Sequence, residues 1–392
     1  MSIYLDHASF SPLRPAARDA WLAATDVIGN ASSVHGAGQD ARRVLEESRE
    51  TLAAALRCEP IEVVFTSGGT ESVNLALKGL WWSRSAGADA VVVPDGEHHA
   101  TMDTMSWLVA VERAHARHVA LDGWGRIDPT RFADALPGAA LATALIANNE
   151  VGTVQDAGAL AGAAAEASIP LHLDAISALG HLPLDFAGWR GAGNGSGGLV
   201  ALSISGHKVG APVGTGALVV SRHAALTPLL HGGGQQRGLR SGTPDVAGAA
   251  ALAVATTEAV AEQAGEHARL SALRARLIAG IRATVPAAEL LGDPDNRLPG
   301  NVHLHFPGAA GESLLFLLDQ AGISVSTGSA CQAGVAEPSH VVLALGRDER
   351  VARSVLRITL GRTTTATDID AVLAVLPDAY LRASGARTAA RS

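Results

Sequence analysis

A chain of 392 residues with 47% hydrophobic content is long enough for one large domain plus a smaller one, each with its own buried core. Aromatics are only 4%, so packing falls to Ala, Val, Leu and Gly, and a net charge of -8 with scattered basic residues argues against a nucleic-acid surface. No apolar run approaches the roughly 18 residues of a membrane span, and Met1-Ser2-Ile3-Tyr4-Leu5-Asp6 lacks the basic and apolar regions of a leader. The two cysteines, Cys58 and Cys331, are too few for a disulfide framework. A soluble chain in a reducing, cytoplasmic compartment is therefore expected.

Residues 1–30 are short-range and turn-rich, with Pro12 and Pro15, and read as an arm packed on something else. From 39 to 56 the apolar residues Ala41, Val44, Leu45, Leu52 and Leu56 recur near helical spacing. A buried strand is predicted over 62–66, and Ser67-Gly68-Gly69-Thr70-Glu71 turns it into a helix carrying Val73, Leu75, Leu77 and Leu80. Further strands are predicted at 90–93, 142–147, 169–173, 199–203 and 216–220, with helical segments between most of them. Strands alternating with helices imply a mostly parallel sheet covered on both faces. A long Ala-rich helix over 246–283 stops before Pro286, and then the pattern changes. Alternating strands at 301–306 and 355–359, helices near 312–320 and 339–345, and a last helix over 367–381 suggest a smaller α+β unit. The Gly-rich stretch 191–198 reads as a surface loop. The residues after Gly385 read as a disordered tail.

The basic residues number 30, and only Lys78 and Lys208 are lysine. A chain that writes its positive charge as Arg keeps Lys where Arg cannot serve. An Arg stays protonated, whereas a desolvated Lys can lose its proton and form an imine with an aldehyde. Lys208 follows a buried-strand run in the turn Ser205-Gly206-His207, a plausible place for the lysine that holds pyridoxal phosphate (PLP); the alternative is a surface lysine in an ordinary loop. Gly68, Gly69 and Thr70 open a helix directly after a strand, where free backbone amides favour a phosphate. Asp174 follows the strand at 169–173, where a carboxylate points into the ligand crevice of an open α/β sheet and could pair with a pyridinium nitrogen. Its alternative is a helix cap or surface turn.

Glu97-His98-His99 closes another strand, and an imidazole there could stack on the PLP ring and move protons. A metal pair is the competing reading, although adjacent histidines diverge and no Cys or carboxylate cluster completes a site, so no metal is expected. His207 could reach the phosphate or serve local structure. Cys331 lies in Ser326-Thr-Gly-Ser-Ala-Cys-Gln-Ala-Gly334, with little to pack against, and is the candidate nucleophile; Cys58, at a helix end, reads as structural.

Together these motifs resemble the PLP-dependent cysteine desulfurases of the class V aminotransferase group. The likeness runs from Tyr4-Leu-Asp-His-Ala8 through Thr66-Ser-Gly-Gly-Thr-Glu71, Asn148-Asn-Glu-Val-Gly152, Ser205-Gly-His-Lys208 and Arg237-Gly-Leu-Arg-Ser-Gly-Thr243. It ends with Gly328-Ser-Ala-Cys331 and Leu356-Arg-Ile-Thr-Leu-Gly-Arg362. The long stretch around Cys331, with Glu337-Pro-Ser339 after it, is similar to the NifS/IscS-type branch. The resemblance implies a fold-type-I enzyme: a large PLP-binding α/β domain over 15–255, a small α+β domain from 1–14 and 256–385, and a disordered tail at 386–392. It implies that Lys208 carries the cofactor, His98 stacks on it, Asp174 meets the pyridinium nitrogen, and Gly69, Thr70, Ser205 and His207 hold the phosphate. Thr243 would reach the phosphate of a partner subunit in a homodimer, while Asn149 and Arg357 face the substrate. L-cysteine would give alanine, and Cys331 would take the sulfur as a persulfide for an acceptor in iron-sulfur assembly or tRNA thiolation.

Ser177 is the departure, because the family usually places Gln there against the cofactor's phenolic oxygen. Two rivals stand beside this reading. One is another PLP lyase or aminotransferase, including a selenocysteine lyase; the other is a weakly active sulfur-relay or scaffold-binding protein.

Overall fold

The structure, a computed structural model, describes residues 2–191, 197–328 and 337–389. The chain opens with strand β1 (Ile3–Tyr4) and helices α1 (Pro15–Thr25) and α2 (Gly36–Leu56). Strands then alternate with helices: β2 (Val63–Thr66), α3 (Gly69–Trp82), β3 (Ala90–Pro94), α4 (His99–Glu112), β4 (His115–Val119) and α5 (Pro129–Ala135). The alternation continues through β5 (Leu141–Leu145), α6 (Ala157–Glu166), β6 (Pro170–Asp174), α7 (Phe186–Arg190), β7 (Gly198–Ser205) and β8 (Gly216–Val220). These strands form one sheet in the order β2-β8-β7-β6-β5-β3-β4. From β7 to β4 every pairing is parallel, and only β8 runs antiparallel to its two neighbours. Every residue of β3, β5, β7 and β8 is buried, because helices cover both faces of a parallel sheet.

Helix α8 (Val246–Thr284) then joins two cores. Its first half packs Leu252, Ala255 and Ala259 under the large sheet, and its second half gives Leu270, Leu277 and Ile281 to a separate cluster. That second cluster surrounds a three-stranded antiparallel sheet, β12-β10-β9, built from β9 (Glu289–Leu290), β10 (Asn301–His305) and β12 (Val355–Thr359). Around it lie α9 (Gly311–Gln320), β11 (Ile323–Ser324), α10 (His340–Ala344), α11 (Glu349–Ala352) and α12 (Ala366–Ala389). Strand β1 pairs with β11, and Leu5 enters the second cluster, so the amino-terminal arm is fastened to the carboxy-terminal part.

Three expectations need correction. Residues 15–25, read as part of a turn-rich arm, are helical, with Pro15 in the first turn, where its missing N–H is no loss. Strand β4, His-Ala-Arg-His-Val, escaped the sequence reading because it is the half-exposed sheet edge, so its polar residues need no burial. The last helix runs to Ala389, past Pro377 and Gly385, and so enters the segment expected to be a disordered tail. The remainder of that tail, the centre of the 191–198 loop and Cys331 lie outside the described residues. Among the described residues, no helix is long and apolar enough to cross a membrane.

Candidate active site

The carboxyl ends of β3, β5, β6 and β7 open on one side of the sheet, where open α/β sheets bind ligands. A cavity of about 480 Å³ lies there, closed from the opposite side by Ser326, Thr327, Gly328 and Arg357 of the carboxy-terminal part. It is lined by Gly69, Thr70, His98, Asn149, Asp174, Ser177, Ser205, His207, Lys208 and Arg357. Thr243 is exposed on the stretch before α8 and does not line it.

Strand β7 ends at Ser205, and the single 3-10 turn Gly206–Lys208 swings the lysine into the cavity. Its Nζ donates to the carbonyls of Ala8 (2.6 Å) and Ser9 (2.8 Å) on the amino-terminal arm. Burial, reinforced by the Arg357 guanidinium, lowers the amine to about 8. At neutral pH this amine gives up its proton far more readily than a surface lysine. That is the condition for attack on a carbonyl carbon.

Asp174 is the last residue of β6 and is 5% exposed, so it is not a surface turn. One oxygen accepts from the Ile176 N–H at 2.8 Å, while burial pushes the carboxyl up to about 6. A carboxylate held so far from water is stabilised by a cation placed against it. Beside it, Glu97 is 1% exposed, accepts from the Leu145 N–H at 2.9 Å through Oε1, and leaves Oε2 without a partner. Burial pushes Glu97 to about 8, so it is protonated at neutral pH.

His98 caps α4, its Nδ1 accepting from the Ala100 N–H at 3.0 Å. Its ring is exposed to the cavity, yet desolvation by the walls and the Lys208 charge lower it to about 4, so it stays neutral. His99 lines the same cavity, its ring 6.3 Å from that of His98 and packed on His340 at 4.6 Å, and His340 donates from Nε2 to the Glu97 carbonyl at 2.8 Å.

Helix α3 begins beside Ser205. Gly68 holds φ 150° and ψ -176°, a region closed to residues with a side chain, and this tight entry leaves the first helical amides facing the cavity. Ser205 Oγ and His207 Nδ1 are 3.0 Å apart, and the His207 ring stacks on Phe10. This polar corner suits an anion, although His207 also has local partners.

On the far wall, Arg357 is 5% exposed. It donates to Asp6 Oδ1 and to the Asn149 carbonyl, both at 2.9 Å, and its Nε has no partner. The pairing with Asp6 was not foreseen, nor was the place of Glu97 behind the lysine wall. Asp6 stood within a motif read only for resemblance, and no local pattern links it to Arg357. Cys58 behaves as read: it is half-buried, and desolvation raises its thiol to about 12.

The sequence profile of the aminotransferase class-V family matches residues 3–372. The chain belongs to that family. It is 47% identical to an IscS-like cysteine desulfurase of Mycobacterium tuberculosis over 99% of this chain and 98% of the other. It is 37% identical to the cysteine desulfurase IscS of Methanosarcina thermophila, over 96% and 91%. Among solved structures it resembles a NifS-like protein with a TM-score of 0.88 at 28% identity, over 96% of this chain and 99% of the other. It also resembles SspA in complex with cysteine, with a TM-score of 0.79 at 29% identity over 92% and 99%. The fold is that of fold-type-I PLP enzymes, and the family's cofactor is PLP. The residues present fit that group: one depressed lysine, one buried carboxylate lacking a cation, and a helix start with neighbouring hydroxyl and imidazole for a phosphate.

Proposed function

We infer that the chain is a PLP-dependent cysteine desulfurase whose cofactor half is built on strand ends and whose substrate and sulfur-accepting half comes from the carboxy-terminal part. The observation that carries this reading is the meeting of Lys208, Asp174, His98 and Arg357 around one cavity, in a chain akin throughout its length to cysteine desulfurases. We divide the chain into a large domain over 15–255 and a small domain from 1–14 and 256–385, supported by the two cores that α8 joins.

Lys208 would carry the cofactor, Asp174 would pair with its ring nitrogen, and the α3 amides at Gly69 and Thr70, with Ser205 and His207, would hold its phosphate. Bound there, PLP supplies an electron sink that stabilises negative charge on the substrate's α-carbon. Lys208 first has to leave the Ala8 and Ser9 carbonyls, so loading frees the arm's contact with the lysine. Arg357, which lines the cavity, would take the carboxylate of L-cysteine, with Asn149 beside it, while Asp6 and the Asn149 carbonyl hold the guanidinium plane. His98, neutral at pH 7 and with its Nδ1 taken by the Ala100 N–H, would stack on the ring and offer its Nε2–H as a hydrogen-bond donor. Lys208, once released, is able to move the α-proton.

In the sulfur step, the Cys331 thiolate forms an S–S bond with the substrate sulfur while the substrate's Cβ–S bond breaks. The electron pair of that bond stays with carbon, which takes a proton to become the methyl group of alanine. Chain connectivity bounds how far Cys331 lies from Gly328 on the cavity wall, since three residues span at most about 11 Å. The persulfide then serves a sulfur acceptor, for which iron-sulfur assembly and tRNA thiolation are the two proposed destinations. A homodimer, with Thr243 offered to the partner's site, and a cytoplasmic setting complete the proposal; the exposure of Thr243 outside its own cavity accords with it.

The test is alanine and sulfide release from L-cysteine with a reductant, for wild type beside Cys331→Ala. The reading requires both products from wild type and a loss of sulfide release in the variant. Release from Cys331→Ala at the wild-type rate would favour a general PLP lyase instead.

A further inference from the structure

Strand β6 carries a histidine, His172, between the apolar Leu171 and Leu173, and a polar ring so deep costs free energy unless it is paired. Its Nδ1 lies 2.9 Å from Thr143 Oγ1 of β5, and its Nε2 lies 3.1 Å from Ser203 Oγ of β7. Thr143, His172 and Ser203 are all fully buried. The ring therefore bridges three adjacent strands on the face of β6 that also carries Asp174.

The sheet register brings this bridge to the carboxylate. Thr143 stands opposite His172 across β5 and β6. Between β6 and β7 the register slips by one residue after Leu171, which faces Leu199, whereas His172 faces Ala201. Without the slip Asp174 would stand beside Leu202; with it, Asp174 stands beside Ser203. Burial raises the Asp174 carboxyl, and the Ile176 N–H, the Lys208 charge and the Ser203 hydroxyl, hydrogen-bonded to the carboxyl, draw it back down.

The protons available fix the direction of these bonds. A carboxylate only accepts, so the hydroxyl proton of Ser203 goes to Asp174. Ser203 Oγ is then left to accept from the Nε2–H of His172. Desolvation lowers His172 to about 3, so the ring is neutral with a single N–H, and its Nδ1 accepts from the Thr143 hydroxyl. Each bond points the same way and polarises the next. An imidazolium here would itself be the counter-ion of the carboxylate. A neutral ring supplies a donor and leaves the negative charge for a cation on the cavity side.

We propose that Thr143, His172 and Ser203 form a one-way series of hydrogen bonds that holds Asp174 ionised and aimed at the cofactor's ring nitrogen, with His172 fixed as its Nε2–H tautomer. None of the three lines the cavity, so they are positioning residues, and the proposal rests on the place given to Asp174 above. Removing the Ser203 hydroxyl makes the carboxylate harder to keep charged. Its hold on a protonated ring nitrogen weakens, while the phosphate and lysine contacts stay as they were.

Two measurements on the PLP-loaded enzyme test this. Imidazole 15N–1H correlations at pH 7, with the His172 signals identified by their loss in His172→Gln, should show the Nε2–H tautomer. An Nδ1–H tautomer would mean that the series runs away from Asp174 and would overturn the proposal. Equilibrium dialysis then compares retention of PLP with that of its 1-deaza analogue, in which carbon replaces the ring nitrogen. In Ser203→Ala the preference for PLP over the analogue should fall about tenfold, the effect of one buried hydrogen bond to a charged group, with retention of the analogue within about twofold of wild type. Thr143→Val and His172→Leu should shift the preference the same way by less, and His172→Gln, which keeps a donor near the place of Nε2, should recover most of it. In an Asp174→Asn background, Ser203→Ala should change the preference no further.

A preference that Ser203→Ala leaves unchanged would overturn the proposal, as would a loss of both ligands in step, which is the mark of a merely structural role. Should His172→Leu fail to fold, Ser203→Ala and Thr143→Val carry the same test. If Asp174→Asn alone leaves the preference at its wild-type value, the placing of Asp174 against the ring fails first, and this inference with it.

Discussion

The two walls of the cavity are built by different means. On the Lys208 wall, strand ends of one buried sheet place Asp174, Ser205 and Lys208, and the sheet's hydrogen bonds fix their spacing before any ligand arrives. On the opposite wall, Arg357 is held by residues far away in sequence and stands beside Ser326, Thr327 and Gly328. The first wall suits electrostatic preorganisation, in which a group's pKa is set by its surroundings. The second suits delivery, in which a thiol has to meet the substrate and then an acceptor.

Breaking the strand-end wall should cost most. Lys208→Ala is expected to abolish the visible absorbance of a lysine-bound pyridoxal group and to lower turnover on the order of 10³-fold or more, checked by spectrum and alanine assay. Asp174→Asn is expected to cost about 10²-fold in kcat and to weaken PLP retention, read by equilibrium dialysis; an unchanged rate would mean that the buried carboxylate is not the ring's partner. On the opposite wall, Arg357→Lys keeps charge and loses the fork, so KM for L-cysteine is expected to rise about tenfold with a smaller change in kcat.

Two pH effects sharpen the contrast. The free amine of Lys208 is the reactive form and its pKa is lowered to about 8, so the rate of PLP loading into the cofactor-free chain should rise with pH up to and through about 8, followed by absorbance. Stability should move for another reason. His7, His172 and His303 are buried and lowered to about 4, 3 and 3, so the unfolded chain binds more protons than the folded one between pH 6.5 and about 4. Stability is therefore lost as pH falls through that window, by about 1.4 kcal/mol per pH unit for each histidine. Glu97 and Asp174, raised to about 8 and 6, offset part of this loss. Urea unfolding at pH 7 and pH 5 measures the balance.

The difference between the walls also decided what could be read from the sequence. Asp174 was legible because it is a polar residue set directly after an apolar run, a local signal that a strand has ended, and Lys208 because it is one of two lysines and sits in the turn that follows such a run. The Asp6–Arg357 pair joins residues 351 apart, and only the pairing of β1 with β11 and the docking of the arm beside β12 bring them together. Helix α1 was hidden by Pro12 and Pro15, which serve turns and helix starts alike. Glu150 stood in a quoted motif, but its hydrogen bond with Ser339 joins residues 189 apart, which no local pattern links.

The most direct test is the site of sulfur on the intact protein. PLP-loaded wild type, mixed with one equivalent of L-cysteine and mapped by peptide mass, should carry one added sulfur atom on the peptide containing Cys331, with none on Cys58 and a matching amount of alanine. Alanine formed with no sulfur on Cys331 would contradict the division of labour between the two walls.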